Sequence, residues 1–189
     1  LRMLRCTIRD CRFDGAYCQD WRLWGVEVED SSFKGADLRS AMLGAPHGSR
    51  DTHYHRVDFS HANMREVSSA AEYTDCDFGH AKLANIDFGS SRFTRCRFAG
   101  ELREVIFWKF GHDLDEPKEN PMEHVDFSPA TLNYVEFRGL DLDRVILPTS
   151  EEHLIVGEYR CALQRAIAAL AGDSSNWALM LRGGLEHDL

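Results

Sequence analysis

The chain has 189 residues, enough for one domain or one domain with an appendage, and its 31 acidic side chains against 22 basic ones leave a formal charge of −9. That balance excludes a general binder of nucleic acid or of anionic membranes. No stretch reaches the roughly 18 apolar residues of a membrane span, and no secretory apolar segment is visible.

From the first residues an apolar side chain recurs at every fifth position: Met3, Ile8, Phe13, Cys18, Leu23, Val28, Phe33, Leu38 and Leu43. A mostly small or apolar residue lies two places before each, and ten of the eleven phenylalanines fall on the central position. On an α-helix five residues advance the face by about 140°, so the stripe would wrap round the cylinder. On a straight strand an odd period sends successive centres to opposite faces. A backbone that bends once per pentad keeps every centre inward, and such a backbone is a coil. Leu1 already holds an inward position with no Met before it, so the chain is expected to begin inside a longer polypeptide.

The first interruption lies near 44–56, where Gly44 to Thr52 reads as a loop and shifts the phase by one. A second run then centres on Phe59, Met64, Ser69, Tyr73, Phe78, Leu83, Phe88, Phe93 and Phe98, with a four-residue step from Ser69 to Tyr73. Trp21, Ser31 and Ser91 depart from the small inner residue, Ser69 is a polar centre, and Trp21 is expected to distort its corner. After Phe98 the phase slips. A third run centres on Phe107, Phe127, Leu132, Phe137, Leu142 and Leu147, which brings the total to 24 pentads. Between Phe107 and Phe127 a segment near 111–124 is expected to project as a loop. It carries Pro117 and Pro121 among Asp113, Asp115, Glu116, Glu119 and Glu123.

Segments such as Ala36-Asp37-Leu38-Arg39-Ser40, Ala62-Asn63-Met64-Arg65-Glu66 and Val125-Asp126-Phe127-Ser128-Pro129 resemble the pentapeptide-repeat family over about 1–148. The resemblance implies an all-β solenoid: a right-handed quadrilateral β-helix with one pentad per face. Its 24 pentads would make about six coils and a rod of about 29 Å.

The pattern stops at Pro148, and 149–189 reads as helical. Thr149 and Glu152 form a candidate capping box. A helix is expected from Glu158 to Ala171 with Gly172 as its terminator, and a shorter one from Ser174 or Ser175 ended by Gly183-Gly184. Its apolar face, with Tyr159, Leu163, Ile167, Leu170 and Trp177, reads either as a C-terminal cap over the open coil or as a homodimer contact.

No phosphate loop, HExxH or GxSxG is present, so the chain is expected to be no enzyme and to need no cofactor. Asp before a centre, as in Asp37, Asp58, Asp77, Asp87, Asp126 and Asp141, reads as a bond to the turning backbone. His47, His53 and His55 with Asp51 match no known metal spacing and read as loop histidines. Five of the six cysteines keep the repeat phase and read as reduced core atoms, hence a cytoplasmic protein. Trp24 and Trp108 each follow a centre and should face outward, either to anchor a partner or to pack under a neighbour.

The expected function is a non-enzymatic protein-interaction module. The resemblance extends to the quinolone-resistance, topoisomerase-modulating branch of the family, which implies an acidic rod that mimics DNA and docks on DNA gyrase or topoisomerase IV. Residues 101–149, with 11 acidic against 5 basic side chains, suit that role, and the neutral first hundred do not. The alternative is a structural or accessory module of a larger assembly.

Overall fold

The structure, a computed structural model, describes residues 1–45, 50–111, 118–149 and 159–187. Its first compact unit, Leu1–Thr149, is a parallel β-solenoid. Its strands are β1 (Arg2–Leu4), β2 (Thr7–Arg9), β3 (Arg22–Trp24), β4 (Glu27–Glu29), β5 (Thr52–His55), β6 (Ala71–Thr74), β7 (Asp77–Gly79), β8 (Leu83–Phe88), β9 (Arg92–Thr94), β10 (Arg97–Trp108) and β11 (Ala130–Arg138). Every pairing is parallel and joins strands on adjacent coils.

Four parallel ladders follow, one per pentad of a coil. The first joins Arg2, Arg22, Met42 and Ser68, and continues through Asp87, Ile106 and Glu136. The second joins Thr7, Glu27, His53, Glu72 and Arg92. The fourth joins Tyr17, Asp37, Asn63 and Lys82. The third runs from Arg12 through Ser32, Asp58, Asp77, Arg97 and Asp126 to Ile146, in steps of 20, 26, 19, 20, 29 and 20 residues. The long steps contain the two interruptions.

The bend that the period demands is a left-handed residue two places after most centres. Arg5, Asp10, Gly15, Asp20, Gly25, Asp30, Gly35 and Ser40 all have φ between +48° and +66°. Only glycine adopts this region freely, with Asn and Asp next, so the polar corners are partly strained. The same marker identifies centres that the sequence pattern misses. Arg56, Glu104 and His124 are left-handed, and two places before them Tyr54, Leu102 and Met122 are buried.

The interruptions are therefore shorter than the sequence indicates. The pattern returns at Thr52 rather than Val57, with Thr52 as inner residue and Tyr54 as centre. Thr52 Oγ1 accepts the Gly25 amide at 3.0 Å, which repairs the ladder beside the loop. The slip after Phe98 is a four-residue step to Leu102, like that from Ser69 to Tyr73. Trp21 causes no distortion: Arg2↔Arg22 and Arg22↔Met42 both keep the regular register. Its indole lies edge-on to Phe13 at 5.5 Å and to Phe33 at 6.4 Å in the first coils.

Inward centres stack into columns. Phe13, Phe33, Phe59, Phe78, Phe98 and Phe127 form one, with successive centroids 4.7–5.5 Å apart. Tyr54, Tyr73 and Phe93 form a second, and Phe88, Phe107 and Phe137 a third. Rings of different columns meet edge-on, so offset stacks and T-shaped contacts fill the interior without a lumen. Each buried ring contributes about 2–3 kcal/mol of gross apolar transfer.

Polar departures inside the coil find partners. Ser69 Oγ shares a hydrogen bond with Tyr73 Oη at 2.8 Å and accepts one from Ser91 Oγ at 3.1 Å. At the inner position Ser31, Cys76 and Cys96 each donate to the carbonyl two residues back. All six cysteines are free thiols, with Cys18, Cys76 and Cys96 buried. Asp58, Asp77, Asp126 and Asp141 each accept the amide two residues on at 2.7–3.0 Å.

The second compact unit, Ser150–Leu189, contains α1 (Tyr159–Leu170) and α2 (Asn176–His187), which pack on each other. The Glu152 of the candidate capping box and Glu158 lie outside the described residues. Gly172 follows α1 without a left-handed φ, so no αL cap forms there. Ser175 is the N-cap of α2, its Oγ accepting the Ala178 amide at 3.3 Å. Gly183 and Gly184 do not end α2 as expected. Both keep right-handed φ, and the helix runs on to His187 because glycine weakens a helix by about 1 kcal/mol without forbidding it.

Candidate interaction surface

Both interruptions leave the solenoid at one corner, between the first and second ladders. One follows Leu43 and returns at Thr52; the other follows Phe107 and returns by Met122. Over those coils this corner drops the left-handed residue that it keeps at Arg5 and Gly25.

The feet of the two loops are joined. Asp51, at the end of the first, accepts from Lys118, at the end of the second. Arg92 lies between them, 3.3 Å from the same Asp51 oxygen and 2.8 Å from Glu72. Burial alone would raise the Asp51 carboxyl, but Lys118 and Arg92 outweigh it and hold Asp51 below the usual carboxylate range. At the second loop Phe110 and Glu119 form an antiparallel bridge, and the Asn120 amide donates to Lys109 O at 2.7 Å. The chain thus leaves and re-enters at adjacent points. Asn120, 3 % exposed, replaces the missing ladder: its Oδ1 accepts the Phe93 amide and its Nδ2 donates to Trp108 O. The expected loop therefore closes by Glu119, with Asn120 and Met122 already in the core.

At the next corner charges alternate up the solenoid. Asp30 takes a forked pair of bonds from Arg56, and Asp75 a forked pair from Arg95 at 2.7 and 2.8 Å. Glu123 takes Arg144 at 2.7 Å. These guanidinium bonds hold Asp30 and Asp75 below their ordinary range.

Of the acidic residues expected to face a partner, Asp113, Asp115 and Glu116 lie outside the described residues, as does His47. Glu119 is exposed and 3.4 Å from Lys109, and Glu123 is paired as above. The two tryptophans lie on the solenoid's own surface. Trp24 Nε1 is 2.8 Å from Met42 Sδ, and Trp108 Nε1 donates to Asp87 at 2.8 Å while the Arg138 guanidinium covers its ring at 4.5 Å. On the helical unit Leu163 is buried, Ile167 and Leu170 are half-buried and Trp177 is exposed. His53 and His55 sit on strand β5 beside Glu72 and Asp75, and no group of metal-ligating side chains occurs among the described residues. No described helix is long and apolar enough to cross a membrane.

Tyr17, Phe110 and Tyr134 are exposed aromatics that the repeat pattern does not single out, and Tyr134 alone of them stands in a left-handed corner. Tyr134 is 81 % exposed at φ +53°, beside Glu104, Ile106 and Glu136 around an open hollow of about 330 Å³. Tyr134 stands two places after the centre Leu132, a corner position held elsewhere by Gly, Asp or charged and polar side chains and here alone by a large aromatic among the described residues. A bulky residue held in a left-handed corner is strained, and such strain gathers at working surfaces.

No protein-family model matches the chain, and no curated protein matches it. Among solved structures the chain is similar to HetL, a pentapeptide repeat protein involved in heterocyst differentiation regulation in the cyanobacterium Nostoc sp. strain PCC 7120. That likeness has 14 % identity and a TM-score of 0.36, over 80 % of this chain and 68 % of that one. It is also similar to full-length QnrB1, a plasmid-mediated fluoroquinolone resistance protein, at 11 % identity and a TM-score of 0.25, over 87 % and 97 % of the two chains. Likenesses of this size carry no weight alone, and the solenoid stands on its own ladder register.

Proposed function

We propose that the protein is a non-enzymatic interaction module whose solenoid, a right-handed four-sided coil of about six turns, presents fixed side chains to a protein partner. The observation that carries this is Tyr134: a large aromatic kept in a strained, exposed corner on a scaffold whose interior is filled. Partner-binding surfaces use such anchors because a rigid aromatic loses little entropy on docking. The clasped corner supplies a second fixed feature.

The partner we propose is a type II topoisomerase, DNA gyrase or topoisomerase IV, which the repeat resemblance favours. Glu119, Glu123 and Glu136 pair with basic residues, which weakens their part in any mimicry of DNA, since mimicry needs unpaired carboxylates. The homodimer we propose joins two helical units, with Trp177 as anchor. Supercoiling and relaxation assays with purified protein test the partner: inhibition at about micromolar concentration, relieved by salt and weakened in Tyr134→Asn, is expected. Unchanged supercoiling well above that concentration sinks the topoisomerase assignment and leaves a structural or accessory module as the reading. Light scattering of the purified chain checks the dimer.

A further inference from the structure

Cations on the solenoid are mostly spoken for: Arg9, Arg39, Arg56, Arg92, Arg95, Arg97 and Arg138 each pair with a carboxylate. Three cations on the later coils of the fourth ladder depart from that habit. Arg65, Lys82 and Arg103 form no ion pair among the described residues, and all three line one hollow of about 340 Å³.

The register explains why they converge. Arg103 pairs with Ala84, and Asn63 with Lys82, so Arg65, Ala84 and Arg103 stand in one outward column on successive coils. The two arginines are about 10 Å apart at Cα, with an alanine where a third long side chain would otherwise fill the gap. Ala84 is only 7 % exposed although its position faces outward, so it is the floor of a notch rather than a surface residue. Lys82 stands beside it, and His80 forms the rim against Gly100, where a Cβ would come within 3.0 Å of the imidazole. Arg65 is oriented by its Nε, which donates to Asn63 Oδ1 at 3.1 Å and leaves the end nitrogens free to bind. Glu101 is the one carboxylate lining the notch, and it faces Asn133 Nδ2 at 3.4 Å. On the far side of the arginines the charges compensate: Arg39 is forked onto Asp37, and Glu66 accepts from Ser40.

We propose that Arg65, Lys82 and Arg103 form a binding site for the dianion of a phosphate monoester. Three cations against one carboxylate match a dianion, and guanidinium groups on both sides of a recess suit a tetrahedral oxyanion. Such a group belongs either to a small phosphorylated molecule or to a phosphorylated side chain of a partner.

Titration of the intact chain at low ionic strength, followed by amide chemical shifts, tests the site with two probes: inorganic phosphate, and a phosphoserine tripeptide beside its unphosphorylated form. Phosphate is expected to bind with Kd of about 1 mM and to move the amides of Lys82 to Asn85 and Arg103. Arg103→Gln and Lys82→Gln should each weaken binding about tenfold, and Arg12→Gln, an unpaired cation on another ladder, should not. Both substitutions are at exposed positions; Ala84→Glu, which fills the notch with a negative charge, should abolish binding. A phosphopeptide at least about tenfold tighter than phosphate assigns the site to a partner's modified side chain; equal affinities assign it to a small molecule. The proposal is overturned if no shift occurs by about 30 mM phosphate, if the Gln variants bind like wild type, or if the unphosphorylated peptide binds equally well.

Discussion

Replacing Tyr54 by phenylalanine removes one oxygen from the middle of the second aromatic column. Tyr54 is 1 % exposed, its ring stacks on Tyr73 at 4.9 Å, and its hydroxyl has no hydrogen-bond partner among the described residues. In the unfolded chain water solvates that hydroxyl, so folding strips it without replacement, at a cost of about 1–3 kcal/mol. Burial accordingly pushes its phenol well above the ordinary tyrosine range. Tyr54→Phe keeps the ring and the stack and leaves a void of only one oxygen. We expect it to stabilise the solenoid by about 1 kcal/mol, which corresponds to about 3 °C in Tm for a chain of this size. Tyr73→Phe is the same chemical change one coil up, with the opposite expectation. Its hydroxyl meets Ser69 Oγ at 2.8 Å, so its loss should destabilise by about 1 kcal/mol. Urea unfolding with an unchanged m-value, backed by calorimetry, reads both. If Tyr54→Phe destabilises the fold as Tyr73→Phe does, the Tyr54 hydroxyl is satisfied and the account of the column is wrong.

Four further outcomes are expected. Asp51→Asn uncouples Lys118 and strips one partner from the half-buried Arg92, so the urea midpoint should fall by about 1–2 kcal/mol equivalent, while Lys118→Ala, at an exposed position, should cost less. Asp30, Asp37, Asp51 and Asp75 are all depressed in the fold. As pH falls the unfolded chain therefore takes up their protons first, so their stabilisation is whole above about pH 4 and declines below it, as urea midpoints at stepped pH will show. Tyr134→Gly should relieve a left-handed corner and raise stability by up to about 1 kcal/mol while weakening partner binding; a loss of stability would mean that the corner is not strained. With a thiol reagent, exposed Cys161 should react first, and Cys76, whose thiol burial pushes up, should wait for unfolding; mass mapping distinguishes them.

Much of the solenoid was legible because its cause is local. An apolar centre every fifth residue, with an Asp that bonds the amide two places on, states the bend pentad by pentad. Reading by phase failed wherever the phase itself broke. Tyr54, Leu102 and Met122 are centres stranded beside an insertion or deletion, and they emerge only from their left-handed followers Arg56, Glu104 and His124. The candidate surface was less legible. Trp24 and Trp108 stood out by residue type, yet Met42, Asp87 and Arg138 already hold them.

The sequence by itself determined the repeat, the inward side chains and the two places where the coil is interrupted, because burial and turn chemistry act within a few residues. The tertiary structure decided what meets across coils. Arg92 reaches Asp51 across 41 residues and Lys118 reaches it across 67, so two loops far apart in sequence share one corner. The same stacking brings Arg65, Lys82 and Arg103 around Ala84. Such neighbours are set by the number of residues in the intervening coils, and a one-residue deletion such as that between Phe98 and Leu102 shifts those that follow.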